Sequence, residues 1–273
     1  MSIYKYYLIP AYDAALAASS VIMNIYNSEF AINWKEDHSP LTEADMQSHH
    51  TITDLLSLTG IPVLSEESKE ISYEIRSTWE MLWIVDPLDG TKEFIHRNGE
   101  FTINIALVEN GLPVFGLIFI PVTKTIYYGI KGMGAFKYQS TGEAFTDADE
   151  MILASQAVHS HGIENNKINV GISRSHLNET TSDFITSLKT KGYQINLVPS
   201  GSALKFGLLA ENSIQLYPRF APTMEWDTAA GQVIIEESGA VMESYPEKQK
   251  LLYNKECLLN PGFIARSTDL LYL

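Results

Sequence analysis

Cysteine is almost missing from this chain of 273 residues: Cys257 is the only one, so no intrachain disulfide can form. That excludes a disulfide-stapled secreted domain and suits a reducing compartment. Cys257 itself reads as a small buried hydrophobe. Basic residues are also scarce. Nineteen Lys and Arg against 33 Asp and Glu leave a formal charge of −14, which argues against binding polymeric nucleic acid or an anionic membrane by general electrostatics. A small phosphorylated ligand stays open if a cation offsets its charge. Long hydrophobic runs are lacking too. The start, Met1 to Pro10, has neither the basic head nor the continuous apolar stretch of a signal peptide, and Val114 to Val122 is too short to span a bilayer. The expectation is a soluble, cytoplasmic protein with no transmembrane segment. No Gly-x-Ser-x-Gly elbow and no Gly-x-Gly-x-x-Gly turn occurs, so serine hydrolase and Rossmann dehydrogenase readings fall away.

What is present is enough apolar content, 45% of residues, to bury a large core in one large domain or two moderate ones. The most informative run is Trp83-Ile84-Val85-Asp86-Pro87-Leu88-Asp89-Gly90-Thr91-Lys92-Glu93-Phe94. Met81 to Val85 reads as a buried strand that Pro87 and Gly90 end sharply. Asp86 and Asp89 then sit at a strand tip, where they can converge on one cation or bridge two, with the Leu88 carbonyl as a further hard oxygen ligand. Gly90 lets main-chain N–H groups approach an anion. Taken alone the run is an acidic turn, since Asp, Pro and Gly are ordinary turn formers. Two further acidic runs change the weighing: Val63-Leu64-Ser65-Glu66-Glu67 ends a short apolar segment, and Glu225-Trp226-Asp227-Thr228 opens an Ala-rich helical pattern. In isolation Glu66 and Glu67 read as solvated loop charges and Asp227 as an N-cap.

No internal repeat or low-complexity linker marks a boundary. Leu8, Tyr12, Ala15, Ile22 and Ile25 recur at helical spacing and predict a long first helix. Thr42-Glu43-Ala44-Asp45 has the form of a capping box, and Ile52, Leu55 and Leu56 carry a second helix to Gly60. Apolar runs at Met81 to Val85, Ile103 to Val108, Val114 to Ile120 and Ile126 to Ile130 predict a largely antiparallel sheet. The polar stretch Gln139 to Asp149 is the expected hinge. Beyond it, strands at Ile168 to Ile172, Ile195 to Val198 and Ile214 to Tyr217 alternate with helices near Phe184 to Thr190, Leu204 to Ala210 and Thr228 to Glu237. The expected division is an α+β half over 1–145 and an α/β half over 146–273.

The chain resembles the inositol monophosphatase superfamily of lithium-sensitive, magnesium-dependent phosphatases, and within it the bacterial 3′(2′),5′-bisphosphate nucleotidases. The resemblance spans nearly the whole sequence. It is carried by Lys35-Glu36-Asp37-His38-Ser39-Pro40-Leu41-Thr42-Glu43-Ala44-Asp45, by Leu64 to Glu67, by Trp83 to Phe94 and by Arg97-Asn98-Gly99-Glu100-Phe101-Thr102. Leu216-Tyr217-Pro218-Arg219-Phe220 and Leu259-Asn260-Pro261-Gly262-Phe263 match as well. It implies an α/β fold layered as an α-β-α-β-α sandwich with the active site between the halves.

The resemblance further implies that Glu66, Asp86 and the Leu88 carbonyl bind one Mg²⁺ and that Asp86, Asp89 and Asp227 bind a second, with a weaker third ion near Glu66. Asp86 would bridge the pair. Glu67 has no ligand role in that scheme and is either a supporting or a solvated residue. Thr91 paired with Asp45 is the implied water activator, and the N–H groups of Gly90 and Thr91 the cradle for the scissile phosphate. Ser173-Arg174-Ser175-His176 and Gly201-Ser202-Ala203-Leu204-Lys205 match the nucleotide-contacting segments, which makes Ser173, His176, Gly201, Ser202, Lys205 and Arg219 candidate substrate contacts. Without the resemblance, Lys205 and Arg219 would read as solvated charges and Tyr217 and Phe220 as packing residues. The implied reaction is removal of the 3′-phosphate from 3′-phosphoadenosine 5′-phosphate to give AMP and phosphate, with the sulfated precursor as a related substrate. An inositol or sugar phosphatase would keep every metal ligand and differ in the pocket walls. A catalytically silent nucleotide or metal sensor is the reading from another class. The partner expected is a small nucleotide bisphosphate; oligomeric state is not legible.

Overall fold

The computed structural model describes residues 2–34, 40–174 and 178–270. Among these the helices are α1 (Leu8–Tyr26), α2 (Glu43–Ser57), α3 (Tyr73–Arg76), α4 (Thr91–Ile95), α5 (Ala148–Ala154), α6 (Glu179–Thr190), α7 (Leu204–Ala210) and α8 (Glu225–Glu237). The strands of the first half are β1 (Ile32–Trp34), β2 (Pro40–Thr42), β3 (Val63–Ser65), β4 (Met81–Asp89), β5 (Thr102–Glu109), β6 (Leu112–Ile120), β7 (Thr125–Ile130), β8 (Gly134–Gln139) and β9 (Gln156–Val158). Those that follow are β10 (Lys167–Ser173), β11 (Gln194–Ser200), β12 (Leu216–Arg219), β13 (Thr223–Met224), β14 (Val241–Ser244), β15 (Leu259–Asn260) and β16 (Phe263–Arg266).

Strands β3 to β9 form one seven-stranded sheet in sequence order, antiparallel throughout except that β3 runs parallel to β4. A second sheet has the order β11-β10-β12-β16-β14, with β10 parallel to both β11 and β12. The continuous apolar run of β4 follows from burial on both faces. Trp83 and Val85 point into a core with α1 and α2, while Leu82 and Ile84 point into a second core shared with α7 and α8. Tyr217 and Phe263 of the five-stranded sheet close that second core from the far side, and Ile185 and Leu188 of α6 cover the outer face of the same sheet. The order of layers is therefore α-β-α-β-α. Each fully buried aromatic or branched side chain contributes about 1.5–3 kcal/mol, so two faces on one sheet make β4 the least movable strand available to hold a site.

Helix α8 lies directly on the large sheet because Gly116 and Gly129 stand opposite one another in β6 and β7. A Cβ on Gly116 would come within 2.3 Å of the Ala230 carbonyl oxygen, and one on Gly129 within 2.9 Å of Ile234. That close approach brings the start of α8 to the end of β4.

Several expectations needed correction. Strand β4 does not stop at Val85: it continues through Pro87 to Asp89, tolerated because the register slips between Asp86 and Asp89 and no regular ladder bond is asked of the proline. Beyond the polar stretch Gln139 to Asp149, β9 pairs with β8 in the large sheet after α5. Strands β8, β14 and β16 had no clear signal, being short or broken by Gly and Lys. Cys257 is exposed rather than buried. Helix Ile3–Tyr26 is long and apolar enough to cross a membrane by composition alone. Here Leu8, Ala11, Tyr12, Ala15, Ala18 and Ile22 bury its apolar face in the first core, as the periodicity predicted.

Candidate metal and phosphate site

Three carboxylates from two elements meet at the end of β4. Asp86 and Asp89 flank the irregular Pro87 and Leu88 step, and Asp227 is the third residue of α8. One oxygen from each lies within 4.8 Å of the others. Asp86 is 1% exposed, and its Oδ1 accepts the Leu88 N–H at 3.0 Å, fixing the turn from inside. Pro87 is held by Ser48, whose hydroxyl donates to its carbonyl at 2.7 Å. Asp227 is not the N-cap of its helix; Met224 is, and Asp227 Oδ2 accepts the Met224 N–H at 2.8 Å while the rest of the carboxyl faces Asp89.

Burial dominates the electrostatics. It pushes Asp86 and Asp227 well above the usual carboxylate range, with the charges of Glu66, Asp89 and Asp227 adding to the effect on Asp86 and that of Asp89 on Asp227. Burial raises Asp89 to about 6, although the Lys205 charge and a hydrogen bond from Asn104 (3.3 Å) pull it down. Desolvated carboxylates crowded together disfavour their own ionisation. Glu225, two residues before Asp227 on the same helix, is fully buried but satisfied by protein: the Asn254 N–H donates at 2.6 Å, the Lys255 N–H at 3.1 Å and Lys255 Nζ at 2.5 Å. Among the described residues the trio has no comparable set of donors. All-oxygen, hard and anionic, it fits a divalent cation such as Mg²⁺.

Beside the trio stands a second pair. Asp45, 2% exposed at the third position of α2, closes a capping box by accepting from the Thr42 N–H (2.7 Å) and the Thr42 hydroxyl (2.6 Å) through Oδ2. Its other oxygen accepts from the Thr91 hydroxyl at 3.0 Å. Capping and site contact thus coexist in one carboxyl, whose pKa is raised by burial against the pull of these bonds. Thr91 opens α4 after Gly90, whose φ of +91° is left-handed and whose missing Cβ leaves room for the Ser202 hydroxyl.

A cavity of about 230 Å³ lies in front of these groups. Glu66, Asp89, Gly90, Thr91 and Asp227 line one side, and Ser173, Ser202, Lys205, Tyr217 and Arg219 the other. Lys205 is not solvated: it is 2% exposed, its ammonium donates to the Ser200 and Ser202 carbonyls at 2.8 Å each and sits 5.2 Å from the Tyr217 ring centroid. Burial lowers its pKa to about 8. Arg219 ends β12 rather than occupying a loop, and its buried Nε has no hydrogen-bond partner among the described residues. Tyr217 packs against Phe206 and Phe263, and Phe220 against Phe184 and Tyr245.

The structure thus brings Asp45, Asp86, Asp89, Thr91 and Asp227 together. Glu66 lines the same cavity outside the trio, Leu88 lies between the two aspartates, and Glu67 is half-buried beside Glu66. Gly201 touches Glu100 through its N–H rather than lining the cavity. His176 and Lys35 to Ser39 lie outside the described residues. Asn104, which supports Asp89, and Ser48, which holds Pro87, were missed. Asn104 was legible as a polar residue inside the apolar run Ile103 to Val108; Ser48 carried no signal.

Fold and site define a metal-dependent phosphatase architecture, and the inositol monophosphatase family model matches residues 4–271. The chain belongs to that family. It is 41% identical to the 3′(2′),5′-bisphosphate nucleotidase CysQ of Salmonella typhimurium over 250 residues, 90% of this chain and 94% of that protein. It is 39% identical to CysQ of Escherichia coli K12 over the same shares. The crystal structure of CysQ from Bacteroides thetaiotaomicron superposes with a TM-score of 0.88 at 43% identity, covering 97% of this chain and 98% of that one. An inositol monophosphatase from Thermotoga maritima shares the fold alone, at 21% identity and a TM-score of 0.72.

Proposed function

We propose that this protein is a Mg²⁺-dependent phosphatase that removes the 3′-phosphate of 3′-phosphoadenosine 5′-phosphate, giving AMP and phosphate, and that it also accepts the sulfated analogue. The observation that carries the reading is the convergence of Asp86, Asp89 and Asp227 beside the Asp45 and Thr91 pair, with Lys205 and Arg219 facing them across one cavity. The names of the relatives supply the substrate class, a small nucleotide bisphosphate. In this assignment Glu66, Asp86 and the Leu88 carbonyl would hold one ion, Asp86, Asp89 and Asp227 would hold a second, and a third would bind near Glu66. Bound there, the ions would offset the charge of the phosphate oxygens and supply Lewis acidity toward water.

The chain's own groups do the rest. The Thr91 hydroxyl donates to Asp45, which leaves its oxygen lone pairs turned outward to orient a water. Asp45, raised by burial, is a better proton acceptor than an ordinary aspartate. The N–H groups of Gly90 and Thr91 cradle the scissile phosphate. On the facing wall, two of the three ammonium protons of Lys205 are committed to carbonyls, leaving one for an oxygen of the second phosphate. The unpartnered Arg219 Nε supplies another donor. Ser173, His176 and Ser202 complete the nucleotide contacts. We also place the protein in the cytoplasm, where a chain with one cysteine needs no disulfide.

Phosphate release under Mg²⁺ tests the reading. Turnover of 3′-phosphoadenosine 5′-phosphate should exceed that of inositol 1-phosphate at least tenfold in kcat/KM. Preference for the inositol ester would make this an inositol phosphatase, and no release from either would leave a silent binder.

A further inference from the structure

Glu100 is not among the groups assigned above, yet its carboxylate ties together parts of the chain on opposite sides of the cavity. Oε1 accepts from Arg174 at 2.6 Å, and Oε2 accepts from Arg174 Nε at 3.0 Å and from the Gly201 N–H at 2.8 Å. Arg174 also donates to the Pro199 carbonyl at 3.4 Å. One acid, following α4 in the chain, thereby holds the ends of β10 and β11. From Gly201 the tie passes straight to the site. Ser202 donates its hydroxyl to the Asp89 carbonyl at 2.8 Å, and its own carbonyl accepts from Lys205.

Ser202 has a φ of +46°, a left-handed backbone that a non-glycine residue keeps only where surrounding bonds overdetermine it. The Gly201 N–H to Glu100 bond and the Ser202 hydroxyl to Asp89 bond are those constraints, one on each side of the strained peptide. The guanidinium of Arg174 is spent on the same carboxylate as a two-pronged pair, which holds Glu100 aimed at Gly201.

We propose that Glu100 is a positioning residue: with Arg174 as its counter-charge, it fixes the Gly201 to Lys205 segment against the Asp89 and Gly90 turn and so sets the affinity for the second phosphate of the substrate. This rests on the nucleotidase reading for its substrate, while the tie itself is independent of it. Glu100 touches no reacting atom. Its loss should therefore loosen the lysine-bearing wall and leave the carboxylate trio and Thr91 working.

The test uses the full chain with Glu100→Gln, which keeps volume and loses charge, and Arg174→Ala, which removes the counter-charge but spares the Gly201 bond. Glu100→Gln should raise KM for 3′-phosphoadenosine 5′-phosphate about tenfold, the scale of one charge-assisted hydrogen bond. Its kcat should stay within about twofold, and hydrolysis of p-nitrophenyl phosphate, which has no second phosphate, should not change. Arg174→Ala should give a smaller rise in the same KM. Amide exchange at Gly201 to Lys205 should quicken in Glu100→Gln. Unchanged KM and exchange would overturn the proposal. So would equal losses on both substrates together with a lowered Tm, the mark of a merely structural tie. If wild type ignores the bisphosphate, the nucleotidase reading and the claimed effect on affinity fall together, and the exchange result still decides whether Glu100 holds the segment.

Discussion

Helix α8 begins with two acids two residues apart that meet opposite fates. Glu225 receives two main-chain N–H groups and an ammonium from the segment Asn254 to Lys255. Asp227 receives one N–H and otherwise faces Asp86 and Asp89. The protein completes the first carboxylate and leaves the second to be completed from outside. Burial alone therefore does not mark a functional acid; burial without enough donors does. The same contrast sorts the cations: Lys255 is matched to Glu225, whereas Arg219 keeps a buried Nε without a partner beside the cavity.

The largest expected effect falls on the incomplete side. Asp89→Asn should lower kcat by about a thousandfold or more, some 4 kcal/mol of barrier, with the circular dichroism spectrum unchanged. Retained activity would remove Asp89 from the metal set. Next, Glu225→Gln should cost about 3 kcal/mol of stability by breaking a buried ion pair, read as the urea midpoint, while kcat of the folded enzyme stays near wild type. If instead it abolished turnover without unfolding, the contrast between the two acids would be false.

A smaller effect concerns pH. Asp86, Asp89 and Asp227 hold protons more tightly folded than unfolded, so without divalent ions the stability they contribute is full below about pH 4, the ordinary aspartate range, and is lost as pH rises, for Asp89 through about 6. Mg²⁺ at a hundredfold excess over its Kd should add about 2.7 kcal/mol, and its gain in Tm should be larger at pH 7.5 than at pH 5. A gain independent of pH would mean that the ion binds elsewhere. The smallest expected change is in KM, which should begin to rise above about pH 8 as Lys205 loses its proton; Lys205→Met should flatten that rise.

Much of this was legible beforehand, and the rest was not for physical reasons. The run from Trp83 to Phe94 announced both strand and carboxylates because a doubly buried strand has to be continuously apolar until the site begins. The box from Thr42 to Asp45 was readable locally, but the contact of Asp45 with Thr91 crosses 46 positions and exists only through the packing of α2 on β4. Burial of Lys205 could not be read either, since it depends on Ser200, Ser202 and Tyr217 arriving around it. The short strands β14 and β16 owe their existence to pairing across the second sheet rather than to local preference. Reading Pro87 as a stop failed because a register slip lets a strand carry a proline.

Calorimetric titration with Mg²⁺ of wild type, Asp227→Asn and Glu225→Gln at pH 7.5 tests the central contrast most directly. Wild type and Glu225→Gln should bind with the same affinity and Asp227→Asn at least tenfold more weakly; equal affinity in all three would contradict a cation shared by Asp86, Asp89 and Asp227.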